Sequence, residues 1–257
     1  MSRSSTQPAF VLHQWDWSET SLILDLFTRE QGRIAVVAKG AKRPYSQMRA
    51  VLLPFQRIAV GLGRPRADEG GDILTLRSAE YAGAGAALPA AQIFAGFYLN
   101  ELLMKLLARH DPHPLLFDAY TGTLLAMAGT HAESALRAFE LMLLRETGVL
   151  PELDRDTATQ EPVHAGRRYA LRPEAGLGGA GTDDTALDAA DCLALQAALD
   201  ANDLQALRMA SASALAALKP QLRALLHYHL GSPQLRTRTA MREVQRLLDN
   251  ASSTGPR

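Results

Sequence analysis

Apolar and polar positions alternate along the first part of the chain with the period of a β-strand. From Phe10 onward, Val11, His13, Trp15 and Trp17 fall on one side, and Leu12, Gln14 and Asp16 on the other. Residues 22–28 are nearly continuous in apolar character, as a strand covered on both faces would be. Residues 29–32 form a turn, with Gly32 able to supply the positive φ that closes a hairpin, and residues 34–38 return. Residues 39–44 read as a loop. Alternation resumes at 57–62, with Ile58, Val60 and Leu62 on one face and Arg57 on the other, and a fifth strand follows at 73–77. Five short strands before any helix predict a small barrel of the OB type, although an SH3-like barrel gives a similar pattern.

Beyond Pro89 the period lengthens to nearly four. Ile93, Phe97, Leu99, Leu102, Leu103, Leu106 and Leu107 make a wide apolar stripe, which predicts a helix stopped by Asp111 and Pro112. Further helices are predicted over 115–128, 133–147, 187–199, 204–209, 214–230 and 239–248. Residues 151–184 break the pattern, with one short alternating piece around 168–172, and read as a small, partly irregular insertion with one hairpin. The chain therefore reads as an α+β protein. Its expected parts are a barrel over 1–82, a first helical part over 83–150 and an irregular insertion over 151–186. A second helical part covers 187–249, and a disordered tail 250–257.

Charge adds a second pattern. The chain of 257 residues carries 27 Lys and Arg against 27 Asp and Glu, so its formal net charge is zero. Yet residues 31–67 hold eight cations (Arg33, Lys39, Lys42, Arg43, Arg49, Arg57, Arg64 and Arg66) and no acid. Such asymmetry suits a polyanion-binding surface. A solvated basic face has the same signature, and charge alone leaves the two readings level. An acidic middle, with clusters at Glu152, Asp154, Asp156 and at Asp183, Asp184, Asp188, Asp191, separates this run from a second basic zone near the C-terminus.

Candidate chemistry is sparse. The single cysteine, Cys192, excludes an intrachain disulfide and fits small core filling. His110 with His113 and His227 with His229 lack metal-ligand spacing. Gly176, Gly178 and Gly181 satisfy G-x-G-x-x-G, but without a leading strand and an opening helix they read as a loop. Ser18, Ser46 and Ser213 lack a nucleophile context. No catalytic site and no cofactor are expected. No secretion signal or bilayer-spanning run is visible either, so a cytoplasmic location is expected. Trp15 and Trp17 share a strand face and fit either base stacking or filling of the barrel core or rim, the second being favoured. Tyr45, beside Pro44 in a loop, is the stronger stacking candidate.

Several short blocks resemble one known family. Phe10-Val11-Leu12-His13, Trp17-Ser18-Glu19-Thr20-Ser21-Leu22, Asp25-Leu26-Phe27-Thr28 and Val37-Ala38-Lys39-Gly40-Ala41 resemble the bacterial recombination mediators of the RecO family. So do Leu76-Arg77-Ser78-Ala79-Glu80, Tyr98-Leu99-Asn100-Glu101-Leu102-Leu103, Leu136-Arg137-Ala138-Phe139-Glu140-Leu141, Leu218-Lys219-Pro220 and His229-Leu230-Gly231. The blocks occur in family order over nearly the whole chain. The resemblance implies a non-enzymatic DNA-repair protein with an N-terminal OB fold and a helical domain, in the bacterial cytoplasm at the nucleoid. It implies binding of single- and double-stranded DNA, annealing of complementary strands, and pairing with RecR. It also implies loading of recombinase onto strands coated by single-strand-binding protein. Many members carry a four-cysteine zinc module where this chain has residues 153–163, which contain no cysteine. That subdomain is expected to hold together by packing alone.

The family also binds the acidic, Phe-ended tail of single-strand-binding protein. The matching cation here is Arg137, whose guanidinium can grip a carboxylate beside an apolar pocket. The plain reading is a surface arginine paired to Glu133 or Glu140 at helical spacing. For DNA, the expected phosphate contacts are Arg33, Lys39, Lys42, Arg43 and Arg49, with Arg57 and the stacking candidate Tyr45 on the same barrel. Lys219, Arg223, Arg236 and Arg238 would extend the track. A protein-contact adaptor and an RNA-binding OB protein are the alternatives.

Overall fold

Strand β1 (Gln7–Asp16) is apolar on both faces, and the fold uses both. Ala9 and Val11 point into a barrel core with Leu24, Leu26, Ile34, Val36, Ile58, Val60 and Leu74. Phe10 and Leu12 point the other way, into the core of the helices. The computed structural model describes residues 6–63, 73–83, 87–182, 185–231 and 235–253, without the side chains of Arg238, Gln245 and residues 247–253. Arg64, Arg66, Asp183 and Asp184 lie outside the described residues.

The barrel contains β1, β2 (Leu22–Thr28), β3 (Gly32–Ala38), β4 (Ile58–Leu62) and β5 (Ile73–Tyr81). Its order is β1-β2-β3-β5-β4, closed by antiparallel pairing of β1 with β4. A simple meander would pair β3 with β4. Here β3 runs parallel to β5, with Val36 opposite Leu74, which makes the Greek-key barrel of OB type. A helix escaped the periodicity argument: α1 (Met48–Val51), a single turn between β3 and β4. The following Leu52 is buried in the barrel core, with Met48 and Val51 packed against it. Four residues are too few to show a helical repeat.

The helices are α2 (Ile93–Leu106), α3 (Pro114–Met127), α4 (Ala132–Glu146), α5 (Ala189–Asp200), α6 (Leu204–Ser213), α7 (Leu215–Leu230) and α8 (Arg236–Ser253). Helix α8 runs past Asn250, where the sequence pattern predicts a disordered tail. Among the described residues no helix is long and apolar enough to cross a membrane. Cys192 is buried in the helical core, and burial above all pushes its thiol up to about 12. That leaves it protonated and inert.

Barrel and helices share one interior. Phe10 meets Phe117 at 5.3 Å and Tyr120 at 4.9 Å between ring centroids, and Phe27 meets Phe117 at 5.4 Å. Each buried Phe contributes about 1.5–3 kcal/mol, so this joint is core packing and not a loose docking contact. Polar groups pin it further. Asn100 donates to the Leu12 carbonyl at 3.0 Å, and the Tyr120 hydroxyl donates to Asn100 at 2.5 Å.

The insertion holds the expected hairpin, built on the alternating piece at 168–172, and departs from expectation in two details. Residues 176–179 are not a loop: β7 (Gly176–Gly179) pairs antiparallel with β6 (Arg168–Arg172), and β8 (Leu187–Asp188) flanks β6 on the other side. Gly176 is required there, because its φ is +73° and a Cβ would run into the Thr157 side chain. Nor does the cysteine-free segment rely on packing alone. Leu153 and Val163 are buried, but Val163 also donates to the Asp154 carbonyl at 2.8 Å, and Asp156 to that of Glu161 at 2.9 Å. The Asp156 carboxylate accepts from the N–H groups of Ala158 and Thr159, both at 3.0 Å, and Thr157 stitches the segment to Leu177. Those backbone bonds, Thr159's first, hold the Asp156 carboxyl below its usual range. Among the described residues no cluster of His, Cys, Asp and Glu is placed to hold a metal.

Candidate nucleic-acid interface and acidic-ligand groove

The expected cations divide into three groups by what surrounds them. The first sits in the joint. Asp25 is 0% exposed on β2, where an isolated carboxylate would be very costly. Arg33 answers it from β3, its Nε at 3.0 Å and Nη2 at 2.9 Å from the carboxylate. Its Nη1 donates to the carbonyls of Met104 and Leu107 at the end of α2. Arg109 adds a second cation at 3.5 Å from Asp25, and His110 donates its N–H to the Arg33 carbonyl at 2.9 Å. Next to Arg33, Gly32 (φ +66°) lies so close to the Asp111 backbone that no side chain fits. Arg33 is therefore a structural clamp between barrel and helices. Its donors, expected on phosphates, are engaged by Asp25 and the carbonyls at the end of α2.

The second group is at the barrel end. Lys39, Arg43 and Arg49 are exposed on the loop after β3 and on α1, and Tyr45 is 98% exposed between them. Lys42 differs from its neighbours. Its ammonium donates to Asp16 and to the Ser18 carbonyl, both at 3.1 Å, while its N–H donates to the Thr20 carbonyl at 2.9 Å. It laces the β3–α1 loop to the β1–β2 loop. Between them opens a cleft of about 360 Å³, lined by Gln14, Asp16, Lys42, Arg49 and Leu52 among others. Arg57 is half-buried just before β4, with its Nε shielded from solvent. Trp15 and Trp17 are 40% and 63% exposed, so the favoured reading of them as core or rim filling is overturned.

The third group lines a groove of about 390 Å³ among the helices. Tyr98 comes from α2, Glu133, Leu136 and Arg137 from α4, Lys219 and Arg223 from α7, and Thr237 and Met241 from α8. Arg137 lies beside the pocket as expected, but it is no surface arginine: its side chain is 8% exposed. Its Nη1 is 2.9 Å from Glu140, which is fully buried and accepts from the Tyr98 hydroxyl at 2.6 Å. Its Nε is buried with no hydrogen-bond partner. Lys219 is bonded to Glu133, and that hydrogen bond is the main cause of the Glu133 carboxyl lying below its usual range. Lys219 and Arg223, expected on a DNA track, are thus gathered around Arg137.

Glu101 went unnoticed in the sequence. It accepts from the N–H groups of Arg236 and Thr237 at 2.9 and 3.0 Å and from the Thr237 hydroxyl at 2.7 Å, fixing the start of α8 against α2. Burial pushes its carboxyl up, but the three bonds, helped by Lys105, outweigh burial and leave it below its usual range. The Arg236 side chain is exposed at that helix start, and the side chain of Arg238 lies outside the described ones.

Chemically, the barrel end presents exposed cations, whereas the groove combines cations with apolar walls. Comparison with known proteins agrees with the architecture. Residues 1–83 match the family model described as recombination protein O N terminal, and residues 91–239 match recombination protein O C terminal. The chain is 49% identical over 258 residues to the DNA repair protein RecO of Variovorax paradoxus, covering 95% of this chain and 98% of that protein. It is 51% identical to those of Acidovorax ebreus, over 263 residues, and Verminephrobacter eiseniae, over 251, with the same coverage. With both halves matched in order and half the residues identical over nearly the full length, the chain belongs to the RecO family of DNA repair proteins.

Proposed function

We propose that this protein is a recombination mediator that works by binding and not by covalent chemistry. Its barrel end holds DNA strands by their backbones, and base pairing selects the partner strand during annealing. The observation that carries this reading is the exposed cationic loop of Lys39, Arg43 and Arg49 on an OB barrel, without an acid of its own. Phosphate-directed cations tolerate any sequence, as annealing requires. The helical groove takes the acidic, Phe-ended tail of single-strand-binding protein, with Arg137, Lys219 and Arg223 facing carboxylates and the apolar walls facing the ring. That contact brings the protein to coated strands, where with RecR it helps recombinase to load.

The test of the barrel reading is salt dependence. If about three of the exposed barrel-end cations neutralise phosphates, the counterions they displace set the salt dependence. The slope of log affinity against log salt is then about −2 on single strands and about −3 on duplex. Slopes near zero would reject backbone gripping. Binding of RNA in preference to DNA, or of neither, would favour the RNA-binding or adaptor reading.

A further inference from the structure

The chain's two tryptophans are both exposed at one end of the barrel, Trp15 with the His13 ring as a neighbour and Trp17 in the loop that follows. A single exposed apolar side chain is ordinary, but two exposed indoles two residues apart, on a segment tied to the cationic loop through Lys42, are not. Trp15 stands at the end of β1, opposite Ile23, with the His13 ring 4.4 Å away and steeply inclined to it. Trp17 sits in the following loop, whose shape is held by Trp17 N–H to the Ser21 carbonyl at 3.2 Å and Ser21 N–H to the Ser18 hydroxyl at 3.1 Å. Both sequence neighbours of Trp17 touch the Lys42 ammonium, through the Asp16 carboxylate and the Ser18 carbonyl. The loop is built to a fixed form while its indole is left in water.

We propose that Trp17 and Trp15 are a stacking platform for unpaired nucleobases, set beside the phosphate-gripping loop, so that this end of the barrel distinguishes single strands from duplex. The proposal rests on the backbone-gripping reading above and adds which part of the ligand each side chain meets. Free bases expose a π face to an indole; in a duplex that face is covered by the neighbouring pair. The charge pattern orients the strand. The loop bearing Trp17 carries the exposed Glu19, which repels phosphates, while the loop across from it carries Lys39 and Arg43, which attract them. A strand lying here turns its bases toward the indoles and its backbone toward the cations. Lys42 is then a positioning residue for the Trp17 loop. An apolar protein segment is the competing occupant, but the adjoining cations favour a polyanion.

Because both of the chain's 2 tryptophans are here, tryptophan fluorescence, excited selectively over the 6 tyrosines, reports on this platform alone. Oligothymidylate titrated into the full-length protein is expected to quench that fluorescence, and a duplex of equal length to leave it nearly unchanged. Trp17→Ala is expected to weaken oligothymidylate binding about tenfold while duplex affinity changes less than twofold, and Trp17→Phe to keep most of the single-strand affinity. Both changes are at an exposed site, and a melting curve checks the fold. Binding without quenching, or equal losses on both forms of DNA, overturns the platform while leaving the backbone reading in place. A Trp17→Ala protein unaltered toward both DNAs also overturns it, and points to a protein occupant. Failure of the unaltered chain to bind any DNA overturns both readings together.

Discussion

The barrel end and the helical groove are both basic, yet they hold their charge in opposite ways. At the barrel end Lys39, Arg43 and Arg49 stand exposed, and Lys42 beside them is tied to Asp16. In the groove Arg137 is buried against Glu140, and Lys219 is bonded to Glu133. Solvated cations suit a long polyanion whose charges can slide past them, since counterion release needs no fixed geometry. Buried and pre-paired cations suit a ligand that arrives with its carboxylates in one place and an apolar group to fill the pocket. Positive charge in a sequence therefore names neither ligand; burial and pairing separate the two.

The joint between them gives the largest expected effect. Arg33→Ala leaves Asp25 buried beside the more distant Arg109, and loss of one partner from such a cluster costs about 3–5 kcal/mol. Denaturant unfolding should show that loss, with DNA affinity near normal in the fraction still folded. A stable Arg33→Ala protein that had lost DNA binding would return Arg33 to the phosphate set.

Next in size, Arg137→Ala should weaken binding of an acidic Phe-ended peptide about ten- to a hundredfold, since charge-assisted hydrogen bonds contribute about 1.5–3 kcal/mol. Lys219→Ala, an exposed change that spares the core, should lower it severalfold. Neither should alter affinity for a bare oligonucleotide. Equal loss on peptide and DNA, measured by anisotropy, would merge the two basic regions into one site.

The smallest effect belongs to Glu133, which an incoming carboxylate must displace from Lys219. Glu133→Gln should tighten peptide binding a few-fold. The same substitution should flatten the acid side of the stability profile. With its folded pKa below the ordinary carboxylate value, Glu133 contributes stability in full above that ordinary value. The contribution is lost as pH falls through the lowered one. A melting profile with unchanged acid slope would mean that the Glu133–Lys219 bridge is absent in solution.

Much of this division was readable from residue order, and the failures have physical causes. The continuous run at 22–28 announced a strand buried on both faces, and the shared core with the helices is the reason. Within that run Asp25 was the overlooked signal: a lone acid in a doubly buried strand demands a cation, and Arg33 lies eight residues on, across the β2–β3 hairpin. That demand points to Arg33 as the partner of Asp25. Lys219 and Glu133 are 86 residues apart, and no local pattern could have joined them. Trp15 and Trp17 were misjudged because aromatic residues usually go inside. Their exposure is visible only once the bulge between Val11 and His13 and the end of β1 at Asp16 are known.

If the two basic regions are separate sites, they bind different ligands at the same time. A labelled oligonucleotide titrated into the full-length protein, with and without a saturating acidic Phe-ended peptide, decides this. Oligonucleotide affinity should stay within about twofold in the two titrations, with both ligands on one chain. Displacement of the oligonucleotide in proportion to peptide occupancy would make the two regions one site.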